Sequence, residues 1–448
     1  MYVSTLCAVV FRVTIAMVPV VAPALAFAAV FPDTIFINGF EPCTGVQCAQ
    51  VACPGGGTTS ISGTVYMPNG TLPLPNVRVY VPNETLAPVP APPVHARCDE
   101  VSSGNPIAMT VSAANGTFTL SNVPAGVNFT AVIQAGKWRR QIPVPSFPAC
   151  TNTALAATQT RLPRSLEDGD IPRIAIATGS ADSLECVMRK TGVVDSEFGV
   201  GGSAASIQLY NSNGTSHFDS AHGGAAFGPA TTGLWGSEAM LSAHDDVLLA
   251  CEGSPLSTSK PATALQAMKD YADAGGRVYM GHWQNYWLQA NAASWVNLAT
   301  WNNGLPSPAN PITATVDTSH PQGAVLSAWL TAANATATPG VIIVEQPKHT
   351  LISIDEDIAR RRLYNDNVDG VASVQLFSST LPVEATPSAQ KGRLIFSDMH
   401  PALGDSSQPS SAFPSGGCTT PVTTIKPQDA ALLYAIFDLE RCVDSSRE

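Results

Sequence analysis

Charge is scarce in this chain. Asp, Glu, Lys and Arg make up 13% of its 448 residues, about half the ~25% usual in soluble domains. The formal net charge is −11 and no run of Lys or Arg interrupts it. Nucleic-acid phosphates are held by clustered basic side chains, so nucleic acid is excluded as a partner. Paired Cys-x-x-Cys spacing is absent as well. Cys43, Cys48 and Cys53 have no histidine nearby and fit a disulfide knot rather than a zinc site. Beyond residues 1–29 no apolar stretch is long enough to cross a bilayer. Proline and glycine, in contrast, are plentiful at 36 and 35 residues, which favours strands, turns and long loops over helical bundles. Apolar residues, at 45%, suffice for a sizeable core.

Residues 1–29 carry only Arg12 as charge and end in Ala24-Leu25-Ala26-Phe27-Ala28-Ala29. Small residues at alternate positions before Val30 match a signal-peptidase site, with an uncleaved anchor as the alternative. The expected location is therefore secreted, periplasmic or at the cell surface, with no membrane span once the leader is removed. Loss of Cys7 with the leader leaves nine cysteines. Disulfides are the default in an oxidising compartment, and an odd number leaves at least one thiol unpaired within the chain. Residues 30–57 read as a Cys/Gly/Pro-rich linker, and nothing assigns a role to its segment 33–43.

From 58 to 163 short alternating runs recur at about ten-residue spacing, among them "SISGTVYM", "VRVYVPN" and "NFTAVIQAG". This pattern predicts an all-β sandwich. "LPNVRV" followed by "NGTFTLSNVPAG" resembles the carboxypeptidase regulatory-like domain, a transthyretin-like or starch-binding-like sandwich. The resemblance implies an accessory module rather than a peptidase, since no zinc-ligand set accompanies it. A glycan or another cell-surface ligand is the expected partner of the protein.

"RLPRSLEDGD" at 161–170 is a polar bridge, and from 164 to 448 the period changes. "IPRIAIATG", "SIQLYNSNG", "HDDVLLACEGS" and "RVYMGH" read as buried strands. "SADSLECVMRKTGV", with Ser180 as N-cap, and "KPATALQAMKDYADAGG" read as helices between them, and "KPQDAALLYAIFDLERCV" as a closing one. "GVIIVEQ", "ASVQLFSS" and "GRLIFSDMH" read as later strands. Alternating strands and helices predict a flavodoxin-like α/β domain with a mainly parallel sheet. The expected architecture is multidomain, with the β-sandwich preceding that α/β domain.

Three stretches of the α/β half are similar to ThuA-like domains, a branch of the class I glutamine amidotransferase-like fold. They are "DYADAGGRVYMGH", "DTSHPQGAVLSAW" and "KGRLIFSDMHP", and the acidic pair in "LISIDED" resembles one that family carries between the last two. Glutamine amidotransferases place a nucleophilic cysteine on the elbow where this chain has Gly281-His282-Trp283. The resemblance thus implies a fold without amidotransferase chemistry.

Ligands of such sheets bind beyond the carboxyl ends of the strands. Gly179, Cys251-Glu252-Gly253, Gly281-His282 and Asp398-Met399-His400 all fall just past predicted strand ends, and so should converge on one rim. His282, Asp398 and His400 are the candidate catalytic or metal-binding residues, because imidazole and carboxylate serve both acid–base and metal chemistry. Cys251, Glu252 and Gly253 are candidate ligand-binding residues, although a Cys186–Cys251 disulfide is the expected state of that thiol. Trp283, Asn285 and Tyr286 could line a sugar platform, against the simpler reading of aromatics packed on the sheet. His95, His244 and His349 carry no signal beyond surface or capping roles. Two functions remain open: an extracellular binding protein, or a hydrolase acting on carbohydrate or other small polar substrates at the rim.

Overall fold

The computed structural model describes residues 43–95, 97–401, 410–415, 418 and 425–443. The expected signal segment and nearly all of segment 33–43 lie outside the described residues. Among the described residues no helix is long and apolar enough to cross a membrane.

The N-terminal strands form two sheets. One is fully antiparallel, in the order Pro106–Val111, Arg78–Pro82, Phe129–Ala135, Trp138–Val144. The other places Ser60–Thr64 between Thr117–Ser121, antiparallel, and Asn152–Ala154, parallel. Alternation decides which side chains turn inward: Thr117–Ser121 buries Phe118 and Leu120 and exposes the rest. Ile61, Val79, Val81, Ala131, Ile133 and Ile142 join them in one core. The Asn115-Gly116 turn needs its glycine. Gly116 has φ of 77°, and a Cβ there would lie 2.8 Å from both Pro73 Cβ and the Val65 carbonyl oxygen.

The rest of the chain builds a ten-stranded sheet, and the expected mainly parallel, flavodoxin-like domain is not what forms. One half is parallel, in the order Gly392–Ser397, Arg277–Gly281, Asp246–Leu249, Ile174–Thr178, Ile207–Asn211, Phe198–Val200. The other half is antiparallel and runs Val341–Val344, Ile312–Val316, Arg360–Val368, Val371–Leu381, joining the first half at Gly392–Ser397. The reason is local. Parallel neighbours need a crossover of a dozen residues or more, and no helix lies between Val344 and Gly392 beyond one short 3-10 turn. Instead Asp369 and Gly370, both at positive φ, make a two-residue turn between the two longest strands.

Central strands are buried on both faces. In Ile174–Thr178, Ile174 and Ile176 enter one core while Ala175 and Ala177 enter the other. Leu248, Tyr279 and Ile395 continue the first face, and Val247, Leu249, Val278, Met280, Leu394 and Phe396 the second. The helix Ala262–Asp273 covers the second face with Leu265, Met268 and Tyr271. Pro427–Leu439 is buried from Gln428 onward because it lies within the first core. There Phe437 packs on Trp138 of the N-terminal strands, ring centroids 5.6 Å apart. Trp329 donates to the Pro73 carbonyl at 2.7 Å, and a Cys98–Cys442 disulfide adds a covalent tie between early and late chain.

Candidate functional site

Pairing register sets the site. Leu249 lies opposite Ala177 and Met280, and Gly281 lies opposite Ser397. Cys251, His282 and Asp398 therefore leave three adjacent strands at one level. His282 opens the short turn His282–Asn285 with φ of 30°, a backbone conformation that strains any residue with a Cβ. Gly281 is glycine for a nearby reason: a Cβ there would sit 2.6 Å from Asp182 Oδ2. Gly179 similarly lets the Cys251 carbonyl pass, since a Cβ would meet its oxygen at 2.2 Å.

Asp182 organises the cluster. Its Oδ2 accepts from the Cys251 amide at 3.0 Å, and its Oδ1 lies 2.6 Å from His400 Nδ1. With Nδ1 held by this carboxylate, the remaining donor atom of the His400 ring is Nε2. Cys251 Sγ is 3.5 Å from His282 Nδ1, and the two imidazoles meet edge to face with centroids 5.2 Å apart. His282 Nε2 is buried without a hydrogen-bond partner, 3.9 Å from Asp398 Oδ1. One ligand atom from each of Cys251, His282 and His400 lies within 4.8 Å of the other two. Their residues are 0%, 3% and 6% exposed, so the cluster is nearly closed to solvent.

Burial disfavours the charged forms of Cys251, His282 and Asp398. It pushes the Cys251 thiol strongly up, and the neighbouring Asp182 carboxylate adds to the effect. It lowers His282 to about 2, helped by His400 and Lys348. Asp398 is raised by burial, against the hydrogen bonds it accepts. Those bonds occupy it: Thr350 donates through its amide at 2.8 Å and its hydroxyl at 2.7 Å, and the Leu351 amide at 3.1 Å. Asp398 fixes the 349–351 loop, and a thiolate nucleophile at Cys251 has no cation among these groups to favour it.

The structure brings His282, Asp398, His400 and Cys251 together and turns the other candidates elsewhere. Glu252 is fully buried, its carboxylate taken by Lys260 Nζ and Ser212 Oγ and its carbonyl by Ser180 and Asn213. Gly253, at φ 80°, faces Ser180. Half-buried Trp283 packs against His282 with ring centroids 4.8 Å apart and planes tilted by 45°. Asn285 donates to Asn303 at 3.1 Å, and Tyr286 packs against the second core. The neighbouring Trp287 is buried edge-on against Trp235.

The expected Cys186–Cys251 disulfide is corrected. Cys186 pairs with Cys418, Cys53 pairs with Cys150, and Cys251 is the free cysteine among the described residues. Cys43 and Cys48 are also disulfide-bonded. Asp182 escaped the sequence reading because "SADSLEC" looks like a helix start. The helix in fact begins at Leu184 with Ser183 as N-cap, which frees Ser180 to Asp182 to line the strand ends. A polar loop directly after the first parallel strand was the available signal.

No family model matches the chain, and no curated protein does. Among solved structures, a ThuA-like protein of Bacteroides uniformis aligns over 59% of this chain and 91% of its own, with 10% identity and a TM-score of 0.31. A cytoplasmic protein of Salmonella typhimurium aligns over 60% and 96%, with 11% identity and a TM-score of 0.28. A type II cohesin–X-dockerin complex of Acetivibrio cellulolyticus aligns over 28% and 79%, with 16% identity and a TM-score of 0.16.

Proposed function

We propose that this is an exported binding protein that holds one transition-metal ion between Cys251, His282 and His400 at the strand ends of its ten-stranded mixed sheet. The observation that carries the reading is the Cys251 Sγ–His282 Nδ1 separation of 3.5 Å with His400 beside it. Two such donors on one tetrahedral zinc lie about 3.5 Å apart, given Zn–S of about 2.3 Å and Zn–N of about 2.0–2.1 Å. Asp398 Oδ1 lies 3.9 Å from His282 Nε2, beyond hydrogen-bond reach, while His400 is backed by the Asp182 carboxylate on Nδ1 at 2.6 Å. That backing orients metal-bound histidines and raises their basicity. A cation would also stabilise the thiolate that burial otherwise disfavours.

Disulfides elsewhere in the chain support an extracellular or periplasmic setting for the protein. The N-terminal sheets are read as the accessory module, with a glycan or other cell-surface group as partner. A rim hydrolase is the second reading. Three protein ligands leave a fourth position for water, as hydrolytic zinc sites do, yet exposures of 0–6% argue for a closed, structural centre.

The test is cobalt substitution of the chelator-treated full chain. Co2+ should bind and give a thiolate-to-cobalt charge-transfer band that Cys251→Ser removes, together with one bound equivalent. A native protein that shows no such band with Co2+ would overturn the proposal.

A further inference from the structure

A second buried cluster lies away from that rim. His95 comes from the loop after the proline-rich stretch, Asp246 opens a central parallel strand, and Glu440 follows the last helix. One ligand atom from each lies within 4.8 Å of the other two, and all three residues are buried. In the sequence His95 carries no signal beyond a surface or capping role, but it is only 8% exposed and neither ring nitrogen has a hydrogen-bond partner. Asp246 Oδ1 and Glu440 Oε1 are likewise buried without partners, at 4% and 2% exposure.

Arg277 and Lys137 act on the cluster through their charge, but their hydrogen bonds go elsewhere or to Glu440 Oε2. Lys137 Nζ pairs with Asp245, while its amide donates to Glu440 Oε2 at 2.8 Å. Arg277 donates its terminal nitrogens to the carbonyls of Lys391 at 2.9 Å and Arg441 at 3.4 Å. Unpartnered polar atoms at such depth are costly, and a histidine and two carboxyls that each carry one lie in a single cluster. We propose that His95, Asp246 and Glu440 form a second cation site, taking a divalent first-row metal such as Mn2+ or Zn2+.

One imidazole and two carboxylates suit such ions. His95 Nδ1 lies 4.0 Å from Glu440 Oε2. Donors on one ion sit about 3–4 Å apart, so closing on a cation requires shifts of less than about 1 Å. Entry is provided by a cavity of about 560 Å³ whose walls include His95, Lys137, Glu440 and Arg441. Since His95 lies in the early part of the chain and Glu440 near the end of the described residues, the ion would clamp the N-terminal strands onto the ten-stranded sheet.

The experiment is Mn2+ and Zn2+ uptake by the chelator-treated full chain, followed by Mn2+ electron paramagnetic resonance and elemental analysis. The native chain should take up one equivalent more than His95→Asn or Glu440→Gln, with a larger rise in Tm on metal addition than either variant shows. The cobalt–thiolate band should persist in both variants, separating this site from the Cys251 cluster. Uptake equal in the native chain and in either folded variant would overturn the proposal.

Discussion

Asp182→Asn isolates the group that holds the rim cluster together. The substitution keeps shape while replacing one acceptor oxygen with an NH2. Asp182 now serves two donors, the Cys251 amide at 3.0 Å and His400 Nδ1 at 2.6 Å. An amide can accept from one of them and must present hydrogens to the other. A buried mismatch of that kind costs about 1–3 kcal/mol, so the urea midpoint should fall. Removing the carboxylate behind a metal-bound histidine costs 10–100-fold in metal affinity, or about 1.4–2.8 kcal/mol. Competition for Co2+ against a coloured chelator reads that ratio directly. Circular dichroism and urea unfolding on the same samples read the structural cost. A folded Asp182→Asn protein with native cobalt affinity would refute the assignment of this carboxylate, and with it the electrostatic reasoning behind the site.

Gly281→Ala places a Cβ 2.6 Å from Asp182 Oδ2, so it should destabilise by about 1–3 kcal/mol and weaken metal binding alongside; native-like melting would contradict the close packing. His244 is lowered to about 4, chiefly by burial, so it stays neutral in the fold while its unfolded form takes up a proton below about 6.5. The unfolded state then binds more protons, and this contribution to stability is lost as pH falls from about 6.5 to 4, by at most about 3 kcal/mol. His244→Gln should flatten urea stability measured over that window, and an unchanged slope would argue against it. Replacing both Cys98 and Cys442 by serine removes a link spanning 344 residues and should cost about 2–5 kcal/mol, seen as a lower urea midpoint; unaltered unfolding would mean that the non-covalent seam alone holds the two parts.

How much of this was legible in the sequence depends on the element. The approach of His282 to His400 is readable because ends of adjacent parallel strands must align, and "RVYMGH" and "FSDMH" announce buried strands that stop on polar residues. The antiparallel half is less so. "GVIIVEQ" and "ASVQLFSS" look alike whether paired parallel or antiparallel, and only Asp369-Gly370 with the missing crossover helices betrays the hairpin. Cysteine partners are invisible because pairing depends on three-dimensional approach: Cys186 reaches across 232 positions to Cys418 and leaves Cys251 reduced. His95 is the hardest case. A histidine after a proline-rich loop carries no pattern, and only the packing of the last helix's end against it reveals a buried cluster.

The most direct measurement is an anomalous difference map from a crystal of the cobalt-loaded full chain. The account predicts a peak about 2.0–2.3 Å from Cys251 Sγ and from one nitrogen each of His282 and His400. A map with no peak among those three side chains would contradict it.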